Sequence, residues 1–185
     1  MKAGNEFYEP LLRFRIASPK DWKFTRAVWS PAAQIRDPDQ FDWRRYAPLP
    51  FVGLARTDAT GAQLQQLVQV TADRLTGVGV VDDTFARIHL AGHITWMKLQ
   101  NGGNVDIRTV SWTESVAGHR ANKIVAEHTV YVPDKGFVHA CRMLGRVYII
   151  FAAGMAFTVT MVSTTDPRSY RESDFEEVLQ SISIG

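Results

Sequence analysis

The chain has 185 residues, of which 45% are hydrophobic, and a domain of this size buries roughly 70% of its unfolded surface without help from a disulfide or a metal. Its single cysteine, Cys141, excludes an intramolecular disulfide and a structural zinc site built on paired thiolates. With 21 basic and 19 acidic residues the formal net charge is +2, so the chain lacks the strong positive field of nucleic-acid-binding proteins and we expect no nucleic acid partner.

The sequence carries no segment that predicts a membrane or export function. No apolar run approaches the ~18 residues of a membrane span. The N-terminal stretch MKAGNEFYEP lacks the apolar core of a secretory signal. The compartment therefore stays open: cytoplasmic as the chain stands, or exported if a signal segment has been removed. The oligomeric state is open as well, and a homodimer is one option.

The N-terminal part predicts a strand that ends in a sharp corner. Leu12, Phe14 and Ile16 alternate with polar or small residues, which is the period of a strand with one buried face. The turn 18–21, Ser-Pro-Lys-Asp, then leads into Trp22.

A proline- and aspartate-rich stretch at about 30–50 predicts a long irregular loop. Loops of this length are uncommon unless they have a function. Aromatic and arginine side chains are the ones that most often anchor interfaces, and adjacent arginines also suit carboxylate groups or stacked bases. The alternative is structural, with the aromatic rings packing the loop onto the domain. The predicted partner-binding residues are Phe41, Trp43, Arg44, Arg45 and Tyr46.

The next two segments receive opposite predictions. After a short strand at 51–56, the sequence Thr60-Gly61-Ala62-Gln63 matches a capping box, so residues 64–75 are predicted to form a helix that ends before Gly77. Residues 86–96 alternate in strand fashion, with Gly92 as a bulge, and are predicted to form a half-buried strand. A reversal at 101–104, Asn-Gly-Gly-Asn, would then bring 105–113 back as its hairpin partner.

The C-terminal half predicts hairpins. A strand at 121–132 is joined by the turn 133–136, Pro-Asp-Lys-Gly, to a strand that begins at Phe137. Residues 147–151 are β-branched and aromatic without alternation, which is typical of a central strand covered on both faces. Residues 157–161 alternate apolar side chains with threonine, so one face points inward and the other stays wet.

The chain ends in an amphipathic helix. Ser173 and Glu176 match a capping box and predict that the helix starts there. An apolar stripe at helical spacing must be buried against the sheet; its residues are Phe175, Val178, Leu179 and Ile182.

Two helices and about six or seven hairpin-linked strands predict a single α+β domain, 1–185, with a mostly antiparallel sheet covered by helices. With this order of elements, the chain resembles the Mog1/PsbP-like superfamily, which includes bacterial DcrB-like domains. The match lies in FRIASPKDWKF, FVGLART, VYIIF, FTVTM and FEEVLQSISI. The resemblance implies an αβα sandwich and a non-catalytic accessory or binding protein. Members bind a small GTPase or stabilise photosystem II, but no functional motif of either is present to carry those partners over.

Several weak chemical signals compete with this interpretation. His89 and His93 are spaced as H-x-x-x-H, but Leu90 stands where the general-base glutamate of zinc proteases would be. On the predicted strand the two rings lie roughly 13 Å apart, too far to share a metal. His139 and Cys141 share a strand parity, although a small buried cysteine accounts for them equally well.

The sequence therefore predicts no catalytic residue, no metal site and no cofactor. Its serines show no G-x-S-x-G elbow and its glycines no nucleotide-binding pattern. The first hypothesis is a non-enzymatic binding or accessory module that recruits an unknown protein partner through the long loop or a sheet face. The alternatives are a small hydrolase or metal-dependent enzyme using His89, His93 and Asp82 or Asp83, and a secreted inhibitor or immunity-type protein.

Overall fold

The computed structural model describes residues 2–3, 5–25, 50–57, 64–100, 103–134, 137–164 and 170–185. These ranges contain eleven β-strands and two α-helices. The strands are β1 Lys2–Ala3, β2 Glu6–Glu9, β3 Phe14–Ala17, β4 Lys23–Thr25, β5 Val52–Thr57, β6 Leu64–Arg74, β7 Val105–Val116, β8 His119–Asp134, β9 Phe137–Ala152, β10 Met155–Thr164 and β11 Ser183–Ile184. The helices are α1 Asp83–Gln100 and α2 Glu172–Ser181.

The strands form a large sheet and a small one. The seven-stranded sheet has the order β4-β5-β6-β10-β9-β8-β7, and the four-stranded sheet has the order β1-β2-β3-β11. All pairings between neighbouring strands of the described chain are antiparallel. The predicted α+β class with an antiparallel sheet is therefore confirmed.

The prediction of a helix at 64–75 is wrong, because this segment is strand β6. Val68, Val70 and Ala72 are buried and face the main core, whereas the residues between them are only half buried. They lie opposite alternate residues of β10, with Val70 paired to Val159. The apolar residues of this segment are spaced in a way that fits both a helix and a strand. The segment forms a strand because its backbone pairs with β5 on one side and with β10 on the other.

The prediction of a strand at 86–96 is also wrong, because the segment belongs to helix α1. The Asp82 side chain caps the helix: its Oδ1 accepts a hydrogen bond from the Phe85 amide at 2.8 Å. Ala86 and Leu90, one turn apart, are buried against the sheet, while Ile88 is 67% exposed. Residues 105–113 do form a strand, β7, but its partner is β8.

The C-terminal hairpins are confirmed. Strands β8 and β9 form a long hairpin in which Asp134 pairs with Phe137, and β9 and β10 are joined at Ala153 and Gly154. Both of these joining residues have positive φ, 50° and 73°, a conformation that glycine adopts without strain. The apolar residues of β10 point into the core as predicted: Phe157, Val159 and Met161.

Helix α2 forms where expected, but its predicted start is wrong. It begins at Glu172, and the N-cap residue Arg171 makes no side-chain capping hydrogen bond, so Ser173 lies inside the first turn. The apolar stripe is confirmed, since Phe175, Val178 and Ile182 are buried in the main core.

The N-terminal corner is tied to this helix. The strand predicted before the corner is confirmed as β3, although β1 and β2 precede it, and the corner that follows it buries Trp22. The indole Nε1 of Trp22 donates a hydrogen bond to Asp174 Oδ2 at 2.9 Å, and its ring contacts Phe175 with centroids 6.0 Å apart. Arg56 from β5 reaches the same carboxylate at 3.7 Å.

The interior strand β9 divides the buried side chains into two clusters. Tyr148 and Ile150 belong to the main cluster, together with the buried face of α2. Val147, Ile149 and Phe151 point the other way, into a second cluster that includes Ala86 and Leu90 of α1. Residues 147–151 are therefore buried on both faces, as their composition predicted.

Candidate functional site: the cleft between α1 and the sheet

An open cleft of about 740 Å³ lies beside α1, on the sheet face opposite the main core. Its floor consists of the β6 and β10 residues that alternate with the core residues. Thr71 lies opposite Thr158, and Gln69 lies opposite Thr160. The face of β10 predicted to stay wet is thus the floor of this cleft.

The wall of the cleft is one side of helix α1. Its lining side chains there are His89, His93, Trp96 and Met97. The helix is held on the sheet by Asn122, a fully buried residue whose Nδ2 donates to the Ala86 carbonyl at 2.9 Å. This bond helps to fix how far the helix wall stands from the sheet.

The cleft is elongated along β10. Every second residue from Ala156 to Val162 lines it, which corresponds to a length of about 20 Å at the rise of an extended strand. The end at Ala156 lies next to Asp73 of β6. His128 of β8 and Val105 of β7 also line the cleft.

The helical state of α1 corrects the geometry predicted for the two histidines. His89 and His93 are one turn apart and both line the cleft, so the strand spacing of roughly 13 Å does not apply. The His89 ring packs against Phe151, with centroids 5.2 Å apart. The His93 ring lies 5.5 Å from that of Trp96.

Burial keeps these imidazoles neutral. Desolvation lowers the pKa of His89 and of His128. It lowers the pKa of His93 to about 4, with a smaller contribution from His89. The Nδ1 atom of His89 is buried and has no hydrogen-bond partner among the described residues.

Asp73 is the one carboxylic acid among the described residues that line the cleft. Desolvation raises its pKa, because burial penalises the charged form. Within the described ranges no hydrogen bond or ion pair involves this carboxyl group. Sequence reasoning missed Asp73, since the helix predicted for 64–75 gave no reason to place it beside β10.

The acidic residues that the enzyme hypothesis needs are engaged elsewhere. Asp82 caps α1, and the Asp83 carboxylate accepts a hydrogen bond from Arg120. Neither residue lines the cleft. In the described part of the chain, no three side chains of histidine, cysteine, aspartate or glutamate are grouped so that they could hold a metal ion.

The outer edge of α1 carries an exposed apolar stripe. Ile88, Gly92, Trp96 and Leu99 follow one another at helical spacing. Ile88 and Leu99 are 67% and 74% exposed, and Trp96, which also lines the cleft, is 47% exposed. The apolar arc of α1 is therefore wider than the face that it buries.

The predicted partner-binding residues are not part of this picture. Phe41, Trp43, Arg44, Arg45 and Tyr46 lie outside the described residues. Pro50, which follows that stretch in the sequence, lines the cleft.

Comparison with solved structures identifies the fold. The chain matches the solution structure of cyanobacterial PsbP (CyanoP) from Synechocystis sp. PCC 6803 with a TM-score of 0.59 and 11% identity, over 100% of this chain and 98% of that chain. A crystal structure from Bacteroides thetaiotaomicron VPI-5482 matches with a TM-score of 0.47 and 11% identity, over 100% of this chain and 49% of that chain. No family model and no curated protein matches the chain. The likeness to CyanoP confirms the predicted Mog1/PsbP-like fold and, at this identity, shows the fold alone.

Neither described helix has the combination of length and apolar character that a membrane-crossing helix requires.

Proposed function

We propose that this protein is a non-enzymatic binding or accessory module of αβα-sandwich type that recruits a protein partner through the outer edge of α1. The observation that carries the proposal is the exposed stripe of Ile88, Trp96 and Leu99 beside an open cleft. Contiguous exposed apolar side chains are typical of protein interaction sites. The resemblance to a superfamily of accessory proteins agrees with this function.

The stripe has the composition of an interface centre. Trp96 provides a large aromatic surface, and tryptophan is among the residues that most often dominate binding energy. Ile88 and Leu99 flank it on the same edge of the helix and bury little surface in the free protein. A partner that covers this edge would remove all three side chains from water, which is favourable by roughly 25 cal/mol per Å² of apolar surface.

The test is capture of the partner by tagged protein from a lysate of the source organism, with the captured protein identified. We expect Ile88→Ser/Leu99→Ser to lose the partner that wild type retains, because both substitutions remove apolar contact without touching the core. Leu11→Ser is the matched control, since Leu11 is 42% exposed and belongs to the turn before β3. Undiminished capture by a folded double variant would refute the role of α1.

A second double variant tests the loop hypothesis. Trp43→Ala/Arg44→Ala removes two of the residues predicted to bind a partner. If this variant loses the partner while the α1 variant retains it, the interface belongs to the loop and not to the helix edge. If both lose it, the loop and the helix contribute to one surface.

A further inference from the structure

We propose that the cleft between α1 and the sheet is also a binding site for a small amphipathic amine, with its ammonium group at Asp73 and its apolar stem along β10 towards Met97. The inference goes beyond the proposed function, because it concerns a small molecule and centres on Asp73 and β10, with Gly92 and Trp96 as the residues that the cleft shares with the exposed stripe.

The size and shape of the cleft suit a small ligand. Its volume of about 740 Å³ lies within the range of roughly 300–1,000 Å³ that is typical of small-molecule sites. The floor follows the paired strands β6 and β10 along their length, which favours a narrow, extended molecule. Trp96, Met97 and Val162 provide apolar surface along its length.

The charges of the cleft select the sign of the ligand. Its ionisable lining residues are Asp73 and three histidines, His89, His93 and His128, and no described lysine or arginine lines it. Burial disfavours the protonated imidazoles, and the ionised form of Asp73 is negative. An anion would meet this group with no described cationic lining residue to offset it, whereas a cation would neutralise the carboxylate.

The Asp73 carboxyl group lies at the Ala156 end of the cleft. Asp73, Ala156 and Phe151 form a row across three neighbouring strands, and side chains in such a row point to the same face. The His89 ring packs on Phe151, 5.2 Å away. The small side chain of Ala156 leaves room beside the Asp73 carboxyl group.

One primary ammonium group suits the Asp73 carboxylate. It has three N–H donors, and this carboxylate has no donor within the described residues. An alcohol offers a single donor and no charge. A carboxylate offers no donor and carries the wrong charge.

The test compares three probes that share one stem: n-octylamine, n-octanol and n-octanoate. Each is titrated into the full chain at pH 7.5 and followed by amide chemical shifts in NMR. We expect octylamine to bind about tenfold more tightly than octanol, the effect of one charge-assisted hydrogen bond, and octanoate not to bind. Shifts should concentrate in β6, β10 and α1.

Asp73→Asn is the decisive variant. It should lower octylamine affinity to the level of octanol and leave octanol binding unchanged. Glu177→Gln is the matched control, because Glu177 is an exposed carboxylate on α2, and its octylamine affinity should equal that of wild type.

Three results would overturn the proposal: octanoate binding as tightly as octylamine, Asp73→Asn binding octylamine like wild type, or shifts confined to residues outside the cleft. The partner-capture experiment is independent of these results. Neither Ile88 nor Leu99 lines the cleft, so loss of the partner and loss of the amine site are separable.

Discussion

The protonation states of the titratable residues in the cleft depend more on how deeply each side chain is buried than on its residue type. His93 shows this most clearly, because desolvation lowers its pKa to about 4, while an exposed histidine titrates near 6.5. The histidine pair was recognised in the sequence, but its environment could not be: Phe151, Thr158 and Asp73 come from segments that only the folded sheet brings together. The side chains that define the site are therefore individually ordinary in sequence.

Acidification should destabilise the protein through His93. The unfolded chain takes up a proton at this residue near its ordinary pKa, and the folded state does so only near 4, so stability present above the unfolded pKa is lost as pH falls. The linkage amounts to about 2 kcal/mol between pH 7.5 and 5. Urea unfolding of wild type and His93→Gln at both pH values measures it. An equal loss in both proteins would contradict the prediction.

For Asp73 the dependence of stability on pH has the opposite sign, because its ionisation as pH rises destabilises the folded chain. Its folded-state pKa is raised, so ionisation costs more in the folded chain, and the cost persists at every pH above that folded pKa. Asp73→Asn should therefore have an equal or higher melting temperature at pH 7.5. A melting temperature clearly below wild type would show that Asp73 has a structural role, and Glu177→Gln gives the baseline for an exposed carboxylate.

Among the helices and strands, the sequence predicts the correct element where the apolar residues follow a single period, either helical or strand. It predicts the wrong element where the same residues fit both periods. Strand β10 and the stripe of α2 have a single clear period, and both were predicted correctly. Segment 64–75 carries apolar residues at helical and strand spacings alike, and its pairing with two strands is not visible locally. Segment 86–96 has a strand-like pattern in sequence because Ile88 and Trp96 share the parity of Leu90, although they lie on the exposed side of a helix.

The link between the N-terminal corner and α2 is testable at this scale. Asp174→Ala removes the acceptor of the buried Trp22 indole and an acidic residue from the first turn of the helix. We expect a loss of about 2 kcal/mol in the free energy of unfolding. Glu176→Ala, an exposed position on the same helix, should change it by less than about 0.5 kcal/mol. Similar losses in the two variants would argue against the link.

For the whole molecule, the β8–β9 hairpin extends beyond the rest of the large sheet. Residues 129–134 and 137–142 pair with each other, and within the described chain neither segment has a second strand neighbour. Residues 147–151, in contrast, have β8 on one side and β10 on the other. A two-stranded ribbon is marginally stable by itself.

Amide hydrogen exchange should reveal this difference. We expect amides of 147–151 to be the slowest to exchange and those of 129–134 and 137–142 to exchange at least about tenfold faster. The measurement is made on the full chain at several protein concentrations. Equal protection of both regions would contradict the expectation, and protection that grows with concentration would point to a homodimer through this hairpin.

Strands β6 and β10 send alternate residues to two places, the main core and the floor of the cleft. Substitution at 69, 71, 158 or 160 therefore leaves every core contact of these strands in place, while the neighbouring positions hold the fold. Two proteins of this architecture can keep the same interior and differ completely in what they recognise. The residues on the cleft floor can therefore change during evolution, and with them the ligand, while the core residues that stabilise the fold stay the same.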